Sequence, residues 1–323
     1  MICAHDEEEN LKELVPQLLS QQYPEFEVII VEDRCNDGTY DFLLQATKEN
    51  EKLKMVRVTQ KPEHINGKKF ALTLGIKAAR YDWVLLTDAD CRPASAQWIG
   101  SMAEKIQEPT KIVLGFSPYT KSGGLLNAFI RFESFLTGIQ FIGLALLGRP
   151  YMGVGRNLAY RKELFLDNKG FNSHLGITGG DDDLFVNQHA TKKNTVVSIG
   201  AEAIVFSKPK TAWGEFLHQK FRHLSVGKRY KFFDKIVLGA FSLSWMLSWF
   251  LVLPVVVLNP LIATASLFFI RLMLAIAVIH VGSRKLGDSF EAWKTPLLDF
   301  MYAFYYLVTG AKALFVKKVK WKN

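Results

Sequence analysis

Carboxylates gather at several points of this chain, and two of the groupings follow apolar runs short enough to be buried strands. Val31-Glu32-Asp33-Arg34-Cys35-Asn36-Asp37-Gly38-Thr39 follows one such run and opens a helical pattern, which puts its acids at the carboxyl edge of a parallel sheet. Ligands of open α/β sheets bind at that edge. Asp33 is the candidate there, since a carboxylate can accept from a nucleobase N–H or ribose hydroxyls, whereas Asp37 is read as a helix cap. Thr87-Asp88-Ala89-Asp90 follows the apolar strand Trp83 to Leu86, so two carboxylates project at the same edge. Such hard oxygen ligands suit Mg²⁺ or Mn²⁺ bridging to a diphosphate.

Asn66-Gly67-Lys68-Lys69 precedes a helix beginning near Phe70 and offers ammonium groups and helix N-terminal amides to phosphate, with Lys68 as the candidate. Gly179-Gly180-Asp181-Asp182-Asp183 packs three acids behind a glycine pair, more than capping a helix requires. Crowding of that kind raises at least one pKa, and a carboxylate so poised can deprotonate a hydroxyl. His218-Gln219-Lys220-Phe221-Arg222-His223 begins a basic stretch that runs on through Lys228, Arg229 and Lys231. Taken alone, that stretch suits an anionic lipid surface.

The elements around these residues are of two kinds. Phe26 to Glu32, Met55 to Thr59 and Trp83 to Thr87 read as strands, and Asp41 to Asn50 and Lys68 to Ala79 as helices, a βαβαβ pattern that implies a parallel sheet. Ile2 to Ala4 resembles the end of a strand, so the start is expected to be truncated, and no signal peptide is visible. Leu125 to Leu147 is apolar but holds Arg131, Glu133 and Gln140. A crossing there would put the acidic clusters on opposite sides of a membrane, so the segment is placed as a helix packed in the protein or lying on the bilayer surface.

The last third differs. Val237 to Leu258 and Leu261 to Val281 are each near the roughly 20 residues a bilayer requires, separated by Asn259 and Pro260, and read as a membrane hairpin. Arg271 lies inside the second and needs a partner. A third run, Leu297 to Val316, contains Asp299 and Lys312 and precedes Lys317, Lys318, Lys320 and Lys322, so it is read as interfacial or re-entrant. The domain reading is therefore 1–232 catalytic and 233–323 membrane, with helices at about 237–258 and 261–281 and a third apolar segment at about 297–316.

With 323 residues, 49% hydrophobic and 22% charged, the chain is neither disordered, collagen-like nor purely coiled coil. Cys3, Cys35 and Cys91 form no disulfide framework and no zinc spacing. The net charge of +9 does not choose among nucleic acid, lipid and phosphorylated substrate; the motifs do, and nucleic acid is not expected as a partner.

The order of these motifs resembles the family 2 glycosyltransferases, membrane-anchored in the bacterial manner, inverting, and built on the nucleotide-sugar-binding GT-A fold; the similarity runs from Ile2 to about Arg229. Ala4-His5-Asp6-Glu7-Glu8-Glu9-Asn10 is similar to the family's opening N-E-E-x-N segment, with His5-Asp6 departing from it. Glu32-Asp33, Gly67-Lys68 and the Asp88/Asp90 pair resemble its paired acids, G-K element and D-x-D motif. Gly155-Arg156-Asn157-Leu158-Ala159-Tyr160-Arg161 is similar to its G-x-N-x-A-Y-R segment, and Gly180-Asp181-Asp182 to its G-[D/E]-D element. Gln219 to His223 resembles Q-x-x-R-W, with His223 in the place of Trp.

The resemblance implies an α/β GT-A domain with a mainly parallel sheet, followed by transmembrane helices. It implies nucleotide and donor contacts at Ala4, Asp6, Glu8, Asp33, Lys68 and Asp88, and Mg²⁺ or Mn²⁺ on Asp90 and Asp88. It also implies Asp182 as base, or Asp181 if the triplet aligns one residue earlier, and Asn157, Gln219, Arg222 and His223 around the acceptor and diphosphate. The implied enzyme is a hexosyltransferase of the inner membrane, multi-pass and with its catalytic domain in the cytosol. It would pass sugar from a nucleotide-diphosphate donor to a glycan or lipid-linked acceptor in cell-envelope polysaccharide or glycolipid synthesis, among membrane lipids. The alternatives are a nucleotidyltransferase and an inactive sugar-nucleotide-binding subunit.

Overall fold

The computed structural model describes residues 1–252, 255, 258 and 262–315, and the chain divides into two compact units, 1–120 with 141–208 and 121–140 with 209–323.

In the first unit β1 (Ile2–Ala4), β2 (Val28–Asp33) and β3 (Leu53–Val58) pair in parallel in that order. Every residue of β2 is buried, as expected of a strand covered on both faces. Helix α1 (Glu8–Leu19) sets Leu11, Leu14, Val15 and Leu18 on one buried stripe, and α2 (Thr39–Glu49) and α3 (Gly67–Ala78) complete the βαβ crossovers. Residues β4 (Trp83–Leu86), β6 (Ile112–Gly115), β7 (Leu158–Arg161) and β8 (Thr195–Ser198) form a second sheet in the order β4-β7-β6-β8. A small pair, β5 (Cys91–Pro93) with β9 (Val205–Ser207), lies apart from it. Met1 ties the sheets together: its amino group donates to the Leu85 carbonyl (2.6 Å), and its carbonyl accepts from Thr87 N (3.2 Å).

The sheet is not parallel throughout. β7 runs antiparallel to both β4 and β6, while β6 and β8 are parallel. Its four residues are too few to show a period of their own, which is why the sequence pattern predicted only the βαβαβ half. The predicted strands and helices of that half lie within a few residues of those observed. Because β1 sits between β2 and the second sheet, the crevice beyond the carboxyl ends of β1, β2 and β4 is the place where such folds bind ligands. Short helices α4 (Trp98–Ala103), α6 (Lys162–Asp167) and α7 (Asp183–His189) fill out the unit.

The second unit is helical: the first part of α5 (Leu125–Leu146), then α8 (Trp213–Gly227), α9 (Phe232–Phe250), α10 (Ile262–Leu286) and α11 (Thr295–Phe315). Two helices among the described residues are long and apolar enough to cross a membrane. Of these, Leu125–Leu146 is 61% buried, in line with a helix packed in the protein, and Ala265–Leu286 only 6%. The turn expected at Asn259-Pro260 and the lysines from Lys317 onward lie outside the described residues.

Charges inside this unit are paired. Arg271 forks onto Asp299, which is fully buried and also accepts from Trp249 Nε1 (2.9 Å), and the guanidinium stands 4.7 Å from the Trp245 ring centroid. The third apolar run, read as interfacial or re-entrant, thus supplies the partner Arg271 needed and packs as α11 against α8, α9 and α10. Lys220 holds buried Glu133 at 2.5 Å, and Arg131 binds Asp288 and Glu291, both at 3.2 Å. Lys220→Met leaves Glu133 as an uncompensated interior charge, so thermal unfolding in detergent should show a loss of about 3 kcal/mol or more, largely restored by adding Glu133→Leu.

Candidate active site

The loops after β1 and β2 are laced together. Asp6 and Arg34 turn the chain with positive φ (57° and 56°), and Asp6 Oδ1 accepts from Asn36 N at 2.6 Å. Glu8 Oε2 accepts from Gly38 N (3.2 Å) and pairs with Lys12 (2.8 Å), while Asp37 takes the amides of Thr39 (3.0 Å) and Glu8 (3.1 Å). The Ala4 carbonyl accepts from the Cys35 thiol at 3.5 Å. Asp33, expected to face a base, is held by the Arg34 fork at 2.7 and 3.0 Å, so its two oxygens already have a partner. Ala4, Asp6, Glu8 and Asp33 therefore shape one wall of the crevice chiefly by bonding each other's loops.

The opposite wall carries the charge. Asn66 caps α3 by accepting from Lys69 N (3.4 Å), and the two lysines that follow diverge. Lys69 is fully buried and donates to the carbonyls of His174 (2.6 Å) and Ile177 (3.0 Å), anchoring the loop that leads to the acidic triplet. Lys68 Nζ stands 3.0 Å from Asp88 and 3.3 Å from Asp181. Burial pulls that ammonium down, but the acids overcome it and leave its pKa well above the usual value. Gly179 and Gly180 (φ 84° and 80°) take left-handed turns that residues with side chains rarely adopt, and so deliver Asp181 to Lys68 and Asp182 to the Gly155 amide.

The two candidate bases differ. Burial pushes the Asp181 carboxyl up, yet Lys68 holds it below the usual range. Asp182 is pushed up, first by burial and then by the Asp181 charge, against the amides of Gly155 (2.7 Å) and Asp183 (2.8 Å) that it accepts from. A Cβ on Gly155 would stand 3.2 Å from Asp182 Oδ2, so glycine allows the approach. Asp90 is likewise raised by burial and by Asp88 beside it, with Arg156 opposing. Two carboxylates this close, one of them raised by its neighbour, are a donor set whose repulsion a divalent cation relieves.

Asn157 departs from the expectation. It is fully buried, donates to the carbonyls of Phe116 (2.8 Å) and Ala203 (2.7 Å), and accepts from Trp98 Nε1 (3.0 Å). It ties the core together and has no face left for acceptor or diphosphate. Its neighbour Arg156 stands over the Tyr119 ring, the guanidinium 4.6 Å from the centroid. Gln219, Arg222 and His223 lie on α8 in the second unit, with His223 exposed and Gln219 and Arg222 half-buried, while Lys220 between them turns inward to Glu133.

Residues 1–167 match the family described as Glycosyl transferase family 2. The chain belongs to that family. This family 2 chain is 34% identical over 90 residues to the poly-beta-1,6-N-acetyl-D-glucosamine synthase of Staphylococcus epidermidis, covering 28% of its own length and 21% of that protein's. It is 24% identical over 234 residues to the Bacillus subtilis protein named "Probable glycosyltransferase YdaM", covering 69% and 53%. The chain thus spans about a fifth to a half of the length of these curated relatives. Among solved structures it is similar to the mannosyltransferase PcManGT from Pyrobaculum calidifontis in complex with GDP-Man and Mn²⁺, with a TM-score of 0.62 at 16% identity over 98% of this chain and 86% of that one. That likeness is one of fold, and it accords with the GT-A-like α/β architecture expected.

Lys68→Met removes the ammonium that holds Asp181 ionised. The Asp181 pKa should then rise, burial being opposed only by a backbone hydrogen bond and the charge of Lys69, and carboxyl-carbon NMR titration of the variant reads that shift directly.

Proposed function

We propose that the chain is a membrane-attached inverting glycosyltransferase that moves a sugar from a nucleotide-diphosphate donor to an acceptor hydroxyl in cell-envelope glycan or glycolipid synthesis. The observation that carries this reading is the shared crevice: Asp182, raised and held by the Gly155 amide, lies beside the Lys68 link from Asp88 to Asp181.

Asp182 takes the proton of the acceptor hydroxyl as its oxygen attacks the anomeric carbon, and the nucleoside diphosphate leaves from the opposite face. Its raised pKa makes it a stronger base than an ordinary carboxylate, while Asp181, held ionised by Lys68, is the less apt proton acceptor. Asp90 and Asp88 would hold a divalent cation, Mg²⁺ or Mn²⁺, which when bound neutralises charge on the departing diphosphate. Lys68 adds a fixed positive charge beside them. The wall built from Ala4, Asp6, Glu8 and Asp33 is assigned to the nucleotide, and Gln219, Arg222 and His223 to the diphosphate and acceptor region.

Attachment to the inner membrane is supported by the apolar side chains that α9 and α10 expose, among them Leu243, Leu247, Leu267, Phe269, Leu274 and Val278. Lys228, Arg229 and Lys231 precede α9, and Arg284 and Lys285 end α10, so both ends of a hairpin would lie on the positive, cytosolic side together with the catalytic residues. The domain arrangement proposed is a catalytic region over 1–232 and a membrane region over 233–323.

The test is release of nucleoside diphosphate from a panel of nucleotide sugars by detergent-purified protein with Mn²⁺, Mg²⁺ or EDTA. GDP-mannose and nucleotide-linked N-acetylglucosamine come first, the sugars in the names of the similar proteins. Release that needs the cation and is lost in Asp90→Ala is the expected result; pyrophosphate as product would indicate a nucleotidyltransferase. Asp182→Asn should keep donor binding and lose transfer by about a thousandfold or more. Because Asp182 must be ionised to act, the rate of the unaltered protein should fall with falling pH through a value above the ordinary carboxylate pKa of about 4, read from the acidic limb of kcat/KM.

A further inference from the structure

Arg34 has no part in the mechanism above, yet it covers the acid at the end of β2. Its Nε donates to Asp33 Oδ1 (2.7 Å) and its Nη2 to Asp33 Oδ2 (3.0 Å). The Asp33 side chain is 9% exposed and that of Arg34 32%, so the guanidinium lies over the carboxylate on its solvent side.

The main chain holds the fork in place. Arg34 takes a positive φ of 56°, uncommon for a residue with a side chain, while its amide donates to the Val58 carbonyl at the end of β3 (3.1 Å). The outer edge of the fork passes over Gly67, the first residue of α3. A Cβ there would come 2.9 Å from Arg34 Nη2 and 3.2 Å from Asp33 Oδ2, so glycine leaves room for a planar group against the carboxylate.

That planar group offers two parallel N–H bonds on one N–C–N unit, and an ionised carboxylate only accepts. Among the bases of the four common nucleoside diphosphates, guanine alone carries the same unit, its N1–H and N2–H being one edge of a cyclic guanidine. Uracil has a single N–H between two carbonyl oxygens, which would meet a carboxylate oxygen as like charges. Adenine and cytosine set an exocyclic N–H beside a ring nitrogen that accepts. Guanine therefore returns to Asp33 both contacts that the guanidinium gives up, and the other bases return at most one.

We propose that the Asp33 carboxylate is a guanine subsite guarded by Arg34, the base taking the place of the guanidinium, so that the donor is a guanosine-diphosphate sugar. The inference rests on the reading of the crevice as a nucleotide-sugar site and adds to it the base and the residue that yields to it.

The experiment titrates GDP, UDP, ADP and CDP calorimetrically into the full chain in detergent with Mn²⁺. GDP should bind at least about tenfold more tightly than the other three, the size of one further hydrogen bond to a charged group. Arg34→Met keeps the stem and drops the fork, so all four nucleotides should bind more tightly while GDP keeps its lead. Asp33→Asn puts one acceptor and one donor where two acceptors stood, a pattern complementary to the N3–H and carbonyl of uracil, so UDP should overtake GDP. UDP binding the unaltered protein as tightly as GDP, or Arg34→Met binding GDP more weakly, would overturn the inference. An unaltered protein that binds none of the four would instead overturn the reading of the crevice as a nucleotide site.

Discussion

The ammonium of Lys68, shared between Asp88 and Asp181, is the interaction on which the site depends. It joins the end of β4 to the glycine-hinged loop before α7, two segments more than ninety residues apart in the chain. Without that cation four carboxylates would crowd a crevice partly closed to water, and their mutual repulsion would protonate some of them or push the loop out. With it, the acids separate into unequal partners: Asp181 is held ionised, while Asp182 and Asp90 keep raised affinities for a proton. Lys69, one residue on, serves the same loop by a different means, binding its main-chain carbonyls from the interior.

The helical unit obeys the same rule in a less polar setting. Arg271, Lys220 and Arg131 each meet a carboxylate supplied by a distant stretch of the chain. A buried pair of this kind contributes little net stability over an apolar substitute, but breaking it is costly, so each pair acts mainly to specify which helix packs on which. The Arg271 pair is the clearest case, because Asp299 and the two indoles of Trp245 and Trp249 enclose the guanidinium between segments that hydropathy alone treats as independent.

The parallel half of the sheet was readable because each of its strands is a continuous apolar run and each crossover helix has a buried stripe. The acids were locatable for the same reason: a motif directly after a buried strand has to emerge at its carboxyl end. β7 was not readable, being four residues flanked by loop and short helix, with its direction set by neighbours on both sides. Asn157 was misplaced by the pattern, which set it at the acceptor and diphosphate. Spacing cannot tell which of two adjacent polar side chains points into the core, and here β7 turns Asn157 inward onto Trp98, Phe116 and Ala203.

By itself the sequence determined the α/β class, the positions of Asp33, Asp88 and Asp90 at the ends of strands, the Asp181 to Asp183 triplet behind its glycine pair, and the apolar character of the last third. These follow from local periodicity and from hydrophobic runs, which depend on near neighbours in the chain. Only the tertiary structure decided that Lys69 turns inward to the carbonyls of the loop before the triplet, that Asp33 is already forked by Arg34, that Asp182 rather than Asp181 is the carboxyl pushed up, and that Asp299 answers Arg271. Charge pairing and desolvation act through space over a few ångströms, between residues separated by tens to hundreds of positions, and no spacing along the chain encodes those distances.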